Sequence, residues 1–265
     1  MSLPALKLAA GIGYRACGDA GAPAVVLLHG IGSTSAAWQE QYEPLGARYR
    51  VLAWTAPGYD RSAPLPGEAP SAADYAAALG RLLNETGLER VHLVTNSWGT
   101  LVALAFASAY PQRVQSLVLG GPTVGAHGLT AEERARRTQE RIARVHQLGL
   151  RAMRTQDLPR LISEDATPQA RALAEGLDEF PTPEGYAQAA RMLYSTDGVE
   201  LLKGLAQRVM IISGTEDRTT PPETNARKLQ AAARDARFEA LAGCGHLPHL
   251  EKPRAFNSLV LDFLR

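Results

Sequence analysis

Ser97 lies in the run Thr95-Asn96-Ser97-Trp98-Gly99, between the apolar stretch 91–95 and the apolar stretch 98–110. A serine on a sharp strand-to-helix turn is pushed out of a sheet. Its hydroxyl is then exposed, and backbone N–H groups of the following helix point at developing negative charge. Space at such a turn is tight, so small residues are wanted two before and two after the serine. Gly99 meets that demand and Thr95 does not. Taken alone, a serine and a glycine after a strand also read as a helix start with Ser97 as its cap.

Three further stretches hold residue types that complete a nucleophile. His29-Gly30-Ile31-Gly32 follows the apolar run Val25-Val26-Leu27-Leu28. A flexible turn there can present the main-chain N–H of Ile31 toward the same point as that of Trp98, and two such donors make an oxyanion hole. Alone, it reads as an ordinary glycine turn. It is not a nucleotide loop: no G-x-x-x-x-G-K-[ST] is present, and Gly11-Ile12-Gly13 lacks a third glycine at the right spacing. Asp217, in Gly214-Thr215-Glu216-Asp217, follows the apolar run 209–213 and precedes Pro221-Pro222. That is a loop at the C-terminal edge of a parallel strand, where open α/β sheets place function, although solvated loop acids are common. His246, in Gly243-Cys244-Gly245-His246, follows a strand expected over 237–241, and the glycines let the loop carry it across the sheet edge. A lone loop histidine would ordinarily be solvated or cap a helix. Together the parts describe acyl transfer, with Ser97 as nucleophile, His246 as base and Asp217 as the acid that orients it.

Other candidates divide between this site and plain structure. His29 and Gly30 flank the oxyanion turn and join the substrate-binding set, His29 as a hydrogen-bonding residue rather than the base. His92 lies in a buried strand and reads as a satisfied core histidine. His246 and His249, with Glu251 nearby, have no distant third ligand, so no metal and no cofactor is expected. Cys244 reads as a small buried residue. Arg134, Arg136, Arg137, Arg141 and Arg144 crowd one helical stretch beside Glu132, Glu133 and Glu140. That pattern describes a solvated face, with recruitment of an acidic substrate as the alternative. Tyr186, Ala190, Leu193 and Tyr194 form a helical stripe, whose Leu193 and Tyr194 are expected to help select an apolar acyl or alcohol group.

The elements that must position these residues alternate. Short continuous apolar runs at 25–28, 51–54, 91–94, 117–119 and 209–212 read as strands buried on both faces of a parallel sheet. Alanine-rich helical stretches at 74–86, 98–110 and 223–233 separate them, and a last helix starts at Pro253 with Phe256, Leu259, Val260, Phe263 and Leu264 on one face. Such alternation predicts an α/β fold. Between about Thr123 and Leu202 the strand pattern disappears, leaving helical segments at 130–148, 168–178, 183–195 and 198–204. The expected division is a core over 1–122 and 204–265 with a helical cap inserted at 123–203.

Lys plus Arg number 28 against 27 Asp plus Glu in 265 residues, so the charge balance favours neither nucleic acid nor an anionic membrane as partner. Cys17 and Cys244 stand far apart, in no metal-binding spacing, which argues against a disulfide framework and for a reducing compartment. The first residues lack a secretory layout, and no apolar run is long enough to span a bilayer. A cytoplasmic monomer or homodimer is expected.

The order Ser97, Asp217, His246, with H-G-x-G upstream and a helical insertion before the acid, resembles the α/β-hydrolase superfamily. Matching pieces are HGIG at 29–32, APGYDRS at 56–62, NSWG at 96–99, GTEDRTTPP at 214–222 and GCGHLPHLEKP at 243–253, covering essentially the whole chain. The resemblance implies an α/β-hydrolase fold and hydrolysis of a small ester or lactone. In that family the acid can instead follow the strand 114–119, but Gly120-Gly121-Pro122-Thr123 offers no carboxylate. Thr95, Thr55 and Asp60 depart from the usual pattern and bear on specificity more than on activity. Asn96, just before the nucleophile, resembles the meta-cleavage-product hydrolases, which cleave a carbon–carbon bond, and Arg191 lies in the cap where that group uses an arginine. HGIGST lacks their usual HGxGPG turn, and Leu247 follows the histidine where they often carry an aromatic. A ligand-binding protein that kept the fold is the alternative outside catalysis, although such proteins often lose a triad member and none is missing here.

Overall fold

The aliphatic runs form the middle of an eight-stranded sheet in a computed structural model that describes residues 3–175 and 180–265. In chain order the first half comprises β1 (Lys7–Ala9), β2 (Ile12–Cys17), β3 (Ala24–Leu28), α1 (Gln39–Gly46), β4 (Arg50–Trp54), α2 (Ala72–Glu85), β5 (Val91–Asn96), α3 (Gly99–Ala109) and β6 (Val114–Gly120). Among the described residues four helices follow: α4 (Ala131–Leu161), α5 (Pro168–Glu175), α6 (Pro183–Ser195) and α7 (Gly198–Lys203). The chain then returns to the sheet through β7 (Arg208–Gly214), α8 (Ala226–Ala232), β8 (Ala236–Leu241), α9 (Pro248–Glu251) and α10 (Pro253–Phe263).

The strand order is β1-β2-β4-β3-β5-β6-β7-β8. Among the described residues of this sheet, the β1–β2 and β2–β4 pairs are antiparallel and the other strand pairs run parallel. Successive side chains of a strand point to opposite faces, which explains the continuous apolar runs. Val26, Leu28, Leu52, Trp54 and Leu93 join the core on the side of α2 and α3. Val25, Leu27, Val51, Ala53 and Val94 pack on the other side with α10. This mostly parallel sheet flanked by helices is the α/β architecture that the alternating pattern predicts, in the α/β-hydrolase fold that the resemblance implies.

From β3 the chain passes to β4 on one side, and β5 lies on the other, so the order reverses at β3. A crevice opens outside the strand ends at such a reversal. The turn after β3 and the turn after β5 therefore face each other, and these carry His29–Gly32 and Ser97.

α4 continues well past the stretch expected at 130–148. Its start follows local rules: Thr130 accepts from the Glu133 N–H, and the Glu133 carboxylate accepts from the Thr130 N–H. Gly149 breaks the helical backbone, yet residues beyond it resume a helix through Leu161. A glycine that reads as a terminator is here a corner between two helical arms. Residues 176–178 of the expected segment 168–178 lie outside the described residues.

Candidate active site

Ser97 has a φ of 51°, the left-handed region that costs a non-glycine residue free energy and that recurs where structure holds a functional group. Its N–H donates to Gly120 O, and the Thr100 N–H returns to Ser97 O, so β6 and α3 together impose the turn. α3 approaches β3 so closely that a Cβ at Gly99 would lie 2.4 Å from Leu28 O. Thr95, the departure from small residues at the turn, is accommodated because its Oγ1 bonds Thr100 Oγ1 at 3.2 Å and donates to Val118 O at 3.3 Å.

His246 is buried at the end of its loop, and Nδ1 lies 2.8 Å from Oδ2 of Asp217 and 3.0 Å from Oγ1 of Thr220. Nδ1 is thus committed, and Nε2 remains for proton transfer. Asp217 also accepts N–H bonds from Thr219 and Thr220 on Oδ1, and the Thr220 hydroxyl on Oδ2. Burial pushes the Asp217 carboxyl up, but the facing His246 and the bonds from Thr220 outweigh it and hold it below its ordinary value. It is a carboxylate at neutral pH, suited to stabilise a charged imidazole.

The loop of His246 is fastened on three sides. Its N–H donates to Leu161 O at the end of α4, and its carbonyl accepts from Asn96 Nδ2 at 3.1 Å. Glu251, buried on α9, accepts from the N–H groups of Gly245, Leu247 and Ser163. Sequence reading treated Glu251 only as a weak metal candidate and missed Thr220 altogether. The run of two threonines before Pro221 was the available signal, since a hydroxyl near an acid in a turn commonly bonds it.

On the opposite side, the turn after β3 comes close enough that a Cβ at Gly30 would sit 2.9 Å from Asn96 Oδ1 and 3.3 Å from Ser97 Cβ. Ile31 and Trp98 both line the cavity beside Ser97. Among the described residues neither main-chain N–H has a hydrogen-bond acceptor within the protein. Main-chain N–H groups without a protein acceptor beside a serine can stabilise an oxyanion where they converge on one point.

Ser97, His246, Gly30, Asn96, Leu193, Tyr194 and Leu247 share one cavity of about 560 Å³ with Ile31 and Trp98. Its roof comes from α4 and α6, with Arg141, Met153 and Tyr186 among the lining side chains.

Two expected substrate contacts are corrected. Arg191 lies outside the cavity, and its Nη1 donates to Glu68 O on the outer surface. It sits on the face of α6 turned away from the cavity that Leu193 and Tyr194 line. His29 lies behind the turn rather than in the cavity. Its Nε2 accepts from the Ala56 N–H at 3.0 Å while Nδ1 stands 2.8 Å from Gly30 O. Burial lowers its pKa to about 4 against the Gly30 bond, so it is neutral, with the proton on Nδ1. It pins the glycine turn.

His92 is a satisfied core residue, 2.8 Å from Ser116 Oγ. His249 packs at a tilt against Trp38 with ring centroids 4.5 Å apart, and burial, with a smaller electrostatic contribution from His246, lowers its pKa to about 3. Among the described residues, the one group with metal-ligand spacing is His127, Asp197 and Glu200. Asp197 already caps α7 and Glu200 pairs with Lys203, so nothing there calls for an ion. No helix among the described residues is long and apolar enough to cross a membrane.

Comparison with known proteins agrees with the fold. Residues 23–253 match the family described as alpha/beta hydrolase fold. A 2-hydroxy-6-oxononadienedioate/2-hydroxy-6-oxononatrienedioate hydrolase of Pseudomonas putida is 32% identical over 271 residues, covering 95% of this chain and 91% of that protein. A 2-hydroxy-6-oxo-6-phenylhexa-2,4-dienoate hydrolase of Comamonas testosteroni is 31% identical, covering 96% and 91%. Among solved structures, a thermophilic esterase from Thermogutta terrifontis superposes with a TM-score of 0.85 at 26% identity, over 96% of this chain and 93% of that one. An enol-lactonase from Burkholderia xenovorans has the same TM-score of 0.85 at 24% identity, covering 98% and 99%, a likeness of fold. The chain is a hydrolase and belongs to the alpha/beta hydrolase fold family.

Proposed function

We propose that the protein is a serine hydrolase that cleaves a small ester or lactone through an acyl-enzyme on Ser97. The observation that carries this reading is the commitment of His246 Nδ1 to Asp217, in a cavity where Ser97 stands beside two unused N–H groups. His246 takes the Ser97 proton through Nε2 as the serine oxygen attacks the carbonyl carbon. The Ile31 and Trp98 N–H groups hold the oxyanion, each worth about 3 kcal/mol in the transition state. The imidazolium then protonates the leaving alcohol. Water, activated by the same nitrogen, releases the acid and restores the serine. Within 1–122 and 204–265 the described residues act as the core, and within 123–203 the described residues act as a cap over the cavity.

A second reading is hydrolysis of a carbon–carbon bond in a dienoate. It is favoured by relatives of that stated activity at 31–33% identity across nearly the whole chain, and by Asn96 before the serine. Against it stand Leu247 after the histidine, the HGIGST turn and the placement of Arg191 outside the cavity. Steady-state assays with p-nitrophenyl acetate, a small lactone and a ring-fission dienoate decide between them. Turnover of ester or lactone at the higher kcat/KM supports the first reading, and preference for the dienoate replaces it with the second. Single-turnover modification without sustained product release would remove both.

A further inference from the structure

Arg141, on the first arm of α4, projects into the same cavity as Ser97. Its Nη1 donates to Tyr186 Oη at 3.0 Å, and its guanidinium lies 5.9 Å from the centroid of the Tyr194 ring. Burial pushes the Tyr186 hydroxyl up from its ordinary value, so that group contributes a dipole and no charge. Among the described residues no carboxylate pairs with Arg141. Asp157 is the one carboxylate among the described lining residues, and Arg144 Nη1 already takes both of its oxygens, at 2.7 and 2.9 Å. Arg137 and Lys228 line the cavity as well, so its charge is net positive.

A guanidinium whose partners here are Tyr186 and Tyr194 keeps further N–H donors facing the cavity, and those are free to bind an anion that enters it. Its planar fork matches a carboxylate with two parallel bonds, which an ammonium does not offer. We propose that Arg141 is a specificity-determining residue and that the substrate carries a carboxylate remote from its scissile carbonyl. This deepens the acyl-transfer reading and rests on it. Tyr186 and Tyr194 set the direction of the fork, and the remote anion draws the reactive carbonyl down to Ser97.

The test uses mono-p-nitrophenyl adipate and its methyl ester, which share the scissile bond and differ in the remote charge. Wild type is expected to favour the acid by about tenfold or more in kcat/KM, the range of a charge-assisted bond. In Arg141→Gln that ratio is expected to fall to about one, with the loss in KM of the acid. Arg141→Lys, which keeps the charge but not the fork, is expected to lie between, and serves if the glutamine variant does not fold. An unchanged ratio in the variants, or a wild type indifferent to the charge, overturns the proposal. If neither ester is cleaved in a Ser97-dependent way, the acyl-transfer reading fails separately. Calorimetric binding of adipate then decides the charge assignment. Binding weakened at least tenfold by Arg141→Gln upholds it, and no binding to wild type overturns it.

Discussion

Oδ2 of Asp217 stands 2.8 Å from Nδ1 of His246, a residue 29 positions further along the chain. The two reach each other because the loops after β7 and β8 rise from neighbouring parallel strands. Thr220 Oγ1 completes a triangle, 2.8 Å from that same Oδ2 and 3.0 Å from Nδ1. Asp217→Asn keeps the size of the acid but removes its charge and the reason for the tautomer. The expected result is a kcat lower by about 10³–10⁴-fold with the fold intact. Steady-state kinetics with a circular-dichroism control measure it.

Glu251 brackets the candidate base, since its carboxylate takes the N–H groups on both sides of His246 and that of Ser163. Glu251→Gln leaves one oxygen and adds donors that face other donors. It is expected to lower stability by about 1–3 kcal/mol, the cost of a buried polar group left unpaired. It is also expected to reduce kcat more than it raises KM. Faster hydrogen exchange confined to residues 243–247 marks the loop as the cause. Unchanged exchange there assigns Glu251 no part in holding it.

Two buried neutral histidines set a pH dependence of stability. His29 and His249 have pKa values lowered to about 4 and about 3, below the ordinary 6.5 that the unfolded chain restores. Between those values the unfolded chain binds the protons and the folded chain does not. Their contribution is therefore complete above pH 6.5 and is lost as pH falls toward 4, at about 1.4 kcal/mol per pH unit for each group. Urea unfolding at pH 7, 6 and 5 is expected to show that fall, and His249→Gln is expected to flatten it.

The strand–turn pieces were the legible part of this molecule. Ser97, Asp217 and His246 could be picked out because each follows an apolar run and sits among residues that only a tight turn requires. Glu251 and Thr220 gave no such signal, since their role arises from loops that meet only after the sheet has formed. Arg191 was misplaced for a related reason. The face that α6 turns to the cavity depends on its docking, with Gln188 Nε2 bonded to Leu65 O and Gly67 O and Arg191 to Glu68 O. In the same way, the arginines of α4 read as one solvated surface, while the fold sends Arg141 inward and leaves Arg136 outside, paired with Glu140.

Every step of the proposed reaction needs the Ser97 hydroxyl as the attacking group, and covalent labelling asks that question directly. Incubation with a p-nitrophenyl alkylphosphonate, followed by intact-mass and peptide analysis, is expected to give one adduct per chain. It should map to Ser97, be absent from Ser97→Ala, and form at least about a hundredfold more slowly in His246→Ala. An adduct that persists in Ser97→Ala, or ester turnover undiminished in that variant, would contradict it.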